Sequence, residues 1–250
     1  MSSAADIEII ARGRARLRWH REPPPQLSTD RQRVVDELWE RGIAELGDAL
    51  YDNPLLVYRE HETAGDLTTI HGVYRSYRYY YAQAKDSNFD CGMAPIGVSG
   101  LTVFSEGETR AVAIGRRSKT VAYYAGSWEC IPSGGMDDSF ARADGTVDFA
   151  AMLLDEFEEE ACLPPDRVRC VTPFAVIYDR IARTYDICCE LPVATTRDEL
   201  IAAMRRSDEY SEVMVVTENE LGDCVRQLGD ELIPLSRGII EIYRQANGLL

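Results

Sequence analysis

The chain has 250 residues, 45% of them hydrophobic and 28% charged, and its 42 Asp and Glu against 27 Lys and Arg give a net charge of −15. This composition describes a folded globular chain and excludes a disordered or fibrous one. A general nucleic-acid-binding surface is not expected, because affinity for phosphate backbones comes from clustered positive charge. No stretch reaches the roughly 18 uninterrupted apolar residues of a membrane span. The first residues, Met1 to Asp6, lack the basic-then-apolar pattern of a secretory signal. Seven cysteines (91, 130, 162, 170, 188, 189 and 224) form no CxxC pair, so neither a disulfide framework nor a zinc site is expected. A cytoplasmic protein without membrane or nucleic-acid partners fits all of this.

In chain order, residues 7–19 alternate strictly, with Ala11, Gly13, Ala15, Leu17 and Trp19 on one face and Arg12, Arg14, Arg16 and Arg18 on the other. A period of two predicts one strand, and its arginine face reads more naturally as a solvated, ion-paired edge than as an anion site. Pro23-Pro24-Pro25 then breaks the chain. Ser28, Thr29 and Asp30 offer caps for a helix over 31–50 with an apolar stripe of Val35, Leu38, Trp39, Gly42, Ile43, Leu46 and Leu50. Strands are expected at 55–59, 67–74, 98–104, 110–115 and 121–131. The tyrosine-rich run 74–81 reads as a strand end turning into a short helix, its tyrosines serving as core filler. After a helix over 146–162 come a hairpin (171–178 and 184–190), a helix near 196–206, a strand at 213–217 and a last helix around 234–247. Strands and helices mix without strict βαβ alternation, which predicts an α/β fold with helices on a mixed sheet.

The segment that carries chemistry is Pro132-Ser-Gly-Gly135, a spacer, and the helix containing Asp155-Glu-Phe-Glu-Glu-Glu-Ala-Cys-Leu163. Thr146 is the expected cap, and Ala150, Leu153, Leu154, Phe157 and Ala161 the expected apolar face. Glu156, Glu159 and Glu160, spaced i, i+3 and i+4, are expected together on the opposite face. Three such carboxylates repel at neutral pH unless a hard divalent cation sits among them. A solvated acidic face explains the charge pattern equally well. The upstream Gly134-Gly135 turn is small enough to let a diphosphate or backbone carbonyls approach the helix.

The combination resembles the Nudix box, G-x5-E-x7-R-E-U-x-E-E-x-G-U, with Gly135 as the leading glycine and Glu156 to Leu163 as its helical end. Asp155 stands in place of the arginine, Val147 in place of the early glutamate and Cys162 in place of the closing glycine, and the loop between is six residues longer. Further stretches (Trp39-Glu40, Tyr51 to Arg59, Ser76 to Arg78, Pro95 to Gly100 and Gly115 to Lys119) resemble the branch of the family that hydrolyses UDP-glucose and UDP-galactose. The resemblance implies a Nudix-type α/β/α sandwich on a mixed sheet (91–250) with an N-terminal α+β extension (1–90). It implies cleavage of a nucleoside diphosphate sugar to nucleoside monophosphate and sugar 1-phosphate, with Mg²⁺, or Mn²⁺ in its place, on Glu156, Glu159 and Glu160. The substrate-contacting candidates are Arg116, Arg117, Gly134 and Gly135. Glu212, or Glu209 beside it, is a candidate general base. ADP-ribose or another nucleoside-diphosphate-linked compound is an alternative substrate, and a nucleotide-binding or regulatory module without turnover is the alternative class. His20, His61 and His71 lie far apart in sequence, and no serine has a His–Asp pattern near it, so covalent catalysis has no support.

Overall fold

The structure, a computed structural model, describes residues 6–24, 26–86, 88–119 and 124–249. In chain order its elements are β1 (Ile7–Arg12), β2 (Arg14–Trp19), α1 (Thr29–Leu46), β3 (Pro54–Ala64), β4 (Leu67–Ser76), α2 (Tyr77–Lys85), β5 (Ile96–Glu106), β6 (Thr109–Arg117), β7 (Trp128–Cys130), β8 (Ser133–Gly135), α3 (Phe149–Ala161), β9 (Thr172–Asp179), β10 (Thr184–Pro192), α4 (Arg197–Met204), β11 (Tyr210–Thr217), α5 (Leu221–Leu228) and α6 (Pro234–Ala246). The large sheet runs β1-β9-β10-β5-β6-β11, with β7 added to β6 and β8 to β5; only β10 and β5 pair in parallel. A second sheet, β2-β4-β3, stands beside it.

Successive residues of the large sheet feed two different cores. Ala111 and Ala113 join the cluster under α3 and α4, with Met152, Leu153, Phe157 and Leu200; Val112 and Ile114 join the cluster under α5 and α6, with Leu221, Ile239, Ile240 and Tyr243. Val176 and Ile187 face the first, Ile177 and Cys188 the second. Both faces are therefore covered, which makes the fold the expected mixed α/β sandwich and gives its central strands continuous apolar runs.

The N-terminal strand is the main correction to the reading from periodicity. It is two strands in two sheets, divided at Gly13, which sits at φ +106° with its Cα pressed against the Asp66 carbonyl, so that a Cβ would lie 2.6 Å from that oxygen. Its arginines are largely paired: Arg14 with Asp66, Arg12 with Gln245 and Arg18 with the Asp144 carbonyl. Helix α1 ends at Gly47, and Ile43 and Leu46 of its apolar stripe remain exposed while Val35 and Gly42 are buried. Of the strand expected at 121–131, residues 121–123 lie outside those described and only Trp128–Cys130 is strand. Helix α5 has no counterpart among the sequence expectations. The tyrosine run turns from β4 into α2 as expected, with Tyr79 and Tyr81 buried.

Asp186 is a buried carboxyl outside the candidate site. It accepts hydrogen bonds from Ser99 Oγ (3.0 Å) and Thr184 Oγ1 (3.1 Å), and its Oδ1 lies 2.8 Å from where a Cβ on Gly97 would be. Burial outweighs those bonds and raises its pKa to about 6. A carboxyl raised in the native state binds a proton that the unfolded chain has already released, so stability falls as pH rises from about 4 to 6. Asp186→Asn should therefore gain on wild type by about 3 kcal/mol between pH 4 and pH 7. Urea melts of both proteins at the two pH values measure this, and a pH-independent difference would contradict it.

Candidate functional site

The site forms where α3 lies against β8. Asp148, not Thr146, caps α3, its carboxylate accepting the Ala151 N–H at 3.1 Å, while Thr146 binds Asp144 instead. At the other end Cys162 closes the helix in the left-handed region, φ +52° and ψ +34°, a conformation that favours glycine. The Arg206 guanidinium donates to the Cys162 carbonyl at 2.7 Å, one of the orphaned acceptors at that terminus.

The three glutamates do not share the solvent face. At 100° per residue Glu160 falls about 20° from Leu153, between it and Met152 and in the middle of the buried arc, and it is 2% exposed; Glu156 lies on the flank and Glu159 in solvent. Glu160 Oε1 accepts the Ser133 N–H at 3.2 Å, and its Oε2 accepts the Tyr210 hydroxyl at 2.5 Å. That hydroxyl is also 3.1 Å from Glu129 Oε1, which takes Arg117 Nη1 at 2.5 Å. The Tyr210 ring reaches this position by lying on Gly115, where a Cβ would fall 2.4 Å from the ring. Burial pushes the carboxyl pKa values of Glu129 and Glu160 up, and Arg117 opposes this at Glu129.

Beside this core, the Glu156 carboxylate rests on Gly134. A Cβ there would lie 2.1 Å from Glu156 Oε1, so no larger residue fits without displacing the acid. Burial, and then the charges of Glu159, Glu209, Asp155 and Asp137, raise the Glu156 pKa to about 8. Gly135 pairs with Gly97 of β5, and a Cβ on it would lie 3.2 Å from Leu55 Cδ1. At the rim, Arg116 donates to the Gly126 carbonyl (2.9 Å), Glu212 (2.9 Å) and Glu231 (3.4 Å). The two adjacent arginines thus serve different ends, Arg116 at the surface and Arg117 inward. Glu212 is tied to Arg116, whereas the charge of Glu209 is felt at Glu156, Glu160 and Glu129.

The enlarged loop after Gly135 is fastened to β2: the Trp19 N–H donates to the Gly145 carbonyl, Trp19 Nε1 to the Arg142 carbonyl at 3.1 Å, and the Val147 N–H to the Leu17 carbonyl. The second sheet thereby anchors the far end of that loop.

The donor set is all oxygen and mutually repulsive, the chemistry that suits a hard divalent cation. Glu160 uses one lone pair on each oxygen and keeps others. No group of three or more His, Cys, Asp or Glu is gathered for a metal among the described residues. Sequence reasoning missed Glu129 and Tyr210; a lone acid inside the short apolar run Trp128-Glu-Cys-Ile131 was the available signal for the first.

No family model and no curated protein matches the chain. Among solved structures it is similar to the Nudix domain of Shewanella oneidensis NrtR complexed with ADP-ribose (14% identity over 64% of this chain and 95% of that one, TM-score 0.40). It is similar also to DR0079 from Deinococcus radiodurans (16%, 60% and 83%, TM-score 0.43) and to a MutT/Nudix family protein from Listeria innocua (17%, 61% and 96%, TM-score 0.38).

Arg117 is bonded to Glu129, and removing it strands a buried carboxylate. Arg117→Met should destabilise the fold by about 3–5 kcal/mol, and adding Glu129→Gln should recover part of the loss. Urea unfolding of the single and double variants checks this; a loss under about 1 kcal/mol would mean that the pair is not desolvated.

Proposed function

We propose that the chain is a Nudix-type hydrolase that cleaves the diphosphate of a nucleoside diphosphate derivative, a UDP-glucose-like sugar nucleotide foremost, with ADP-ribose as the rival substrate. The observation that carries this reading is the Glu156 carboxylate seated on Gly134, where the charges of Glu159, Glu209, Asp155 and Asp137 are felt. Such a notch repels a polyanion unless a cation joins the two. The left-handed Cys162 adds support, since it stands where the resembling motif has its closing glycine.

In this reading Glu156, Glu159 and Glu160 hold Mg²⁺ or Mn²⁺. When bound, such an ion screens the diphosphate and lowers the pKa of a water for in-line attack. The remaining work belongs to the chain. Gly134 and Gly135 keep the turn free of side chains, so that a phosphate can approach the helix flank. Arg116, at the rim, offers forked donors to phosphate oxygens as Glu212 and Glu231 release them. Arg117 acts at a distance, holding Glu129 and through it the Tyr210 hydroxyl on Glu160. Of the two candidate bases this reading prefers Glu209, whose charge is felt at Glu156, because Glu212 is bonded to Arg116. A net charge of −15 argues against phosphate backbones as the ligand, since one metal-bridged diphosphate is a far smaller anion.

One observation favours a second reading, a nucleotide-binding module without turnover: both Glu160 oxygens already have partners, and among the described residues no three acids converge on a metal site. The two readings separate in one assay, phosphate release from UDP-glucose, UDP-galactose and ADP-ribose with Mg²⁺ and a coupling phosphatase. The hydrolase reading expects turnover that EDTA abolishes and that Glu156→Gln lowers by about 100-fold in kcat with the fold intact. Tight binding without turnover would establish the module instead.

A further inference from the structure

Tyr80 of the tyrosine-rich run packs against the core on one side and faces a cavity on the other. Tyr80 is only half-buried, between buried Tyr79 and Tyr81, and lines a cavity of about 370 Å³ with Ala84, Tyr124, Ile181 and Arg183. We propose that this cavity, where two tyrosines from separate segments meet an arginine at the end of the large sheet that carries Gly135, binds the flat base of a nucleoside. The inference rests on the function proposed above and gives it a second subsite.

The walls are held from behind. Asp179 accepts the Ile181 N–H at 2.8 Å and the Ala182 N–H at 3.0 Å, which fixes the tip of the β9–β10 hairpin. The Tyr80 hydroxyl donates to the Ala182 carbonyl at 3.3 Å, tying α2 to that tip. Arg183 sits at φ +59° with its Nη2 on Asp90 at 2.9 Å. Behind them the Gln83 amide is fully engaged, donating to the Met93 carbonyl and accepting the Cys91 and Met93 N–H groups. The mouth, by contrast, is apolar and open: Ile181 is 57% and Tyr124 36% exposed. A rigid site with exposed aromatic and aliphatic surface and one guanidinium suits a planar ring with a polar edge, which stacks on aromatic faces whatever its identity.

The location fits a ligand shared with the glutamates. Gly97 of β5 pairs with Gly135 on one side and with Asp186 on the other, and Arg183 precedes Asp186 by three residues. Two strand spacings across and three residues along put Arg183 about 14 Å from the glycine turn, a separation that a base and its diphosphate can bridge. A sugar ring is the competing occupant, and it differs in having no flat face that runs through the whole ring.

The test uses the full chain and needs no turnover. Saturation-transfer NMR is run with uridine and adenosine, and with glucose 1-phosphate and ribose 5-phosphate as the sugar arms, on wild type and on two variants at exposed positions, Ala84→Trp and Ile181→Glu. The proposal expects transfer to base protons in wild type, at least a tenfold weaker affinity in Ala84→Trp and a measurable weakening in Ile181→Glu, with unchanged circular dichroism. If the diphosphate assay is active, Ala84→Trp should also raise KM by a similar factor and leave kcat near wild type. Nucleosides binding equally well to Ala84→Trp, or sugar phosphates binding there while nucleosides do not, would overturn it. Base binding without any diphosphate turnover would leave this site standing and remove the hydrolase reading alone.

Discussion

Two desolvated carboxylates bridged by one tyrosine hydroxyl, the first of them paired with a guanidinium, set the terms for everything around them. Glu129 and Glu160 are each 2% exposed, Arg117 is bonded to the first, and the Tyr210 hydroxyl touches both. Leaving either acid without its partners would cost several kcal/mol, so β6, β7, β11 and α3, which supply these four side chains, are held in one arrangement. That arrangement fixes the rotation of α3 about its axis, and the rotation in turn decides where Glu156 and Glu159 emerge. A helix free to turn by one residue would present different acids to the cleft.

Small residues make the arrangement sterically feasible. Gly115 yields to the Tyr210 ring and Gly134 to the Glu156 carboxylate, and in each case a methyl group would collide with what the site needs. The loop beyond Gly135 does not float free, because Leu17 and Trp19 of β2 bond its far end. The second sheet therefore anchors that loop through one strand. The like charges felt at Glu156 beside Gly134 work against stability.

Much of the architecture was legible in the sequence because it rests on periodicity. The hairpin of β9 and β10, α4 with its Thr196 cap, and α6 fell where apolar spacing put them. The failures have physical causes. Unbroken alternation at residues 7–19 hid a sheet change, since Gly13 leaves the period of two undisturbed while its positive φ redirects the chain. Glu160 was assigned to solvent because it is charged, although its spacing from Leu153 and Phe157 already placed it in the buried arc. The partnership of Glu129, Tyr210 and Arg117 joins residues up to 93 positions apart and leaves no local pattern. Glu156, Glu159 and Glu160 stand out in the sequence, whereas Glu129 does not, and neither does the division of the acids between core and surface.

The central claim is that α3 and the glycine turn together form a site for one divalent cation. Electron paramagnetic resonance of Mn²⁺ added to the full chain tests it without reference to any substrate. The account predicts saturable loss of the free-ion signal at one ion per chain, abolished in Glu156→Gln and displaced by excess Mg²⁺. A free-ion signal that falls no further with wild type than with the Glu156→Gln protein would contradict it.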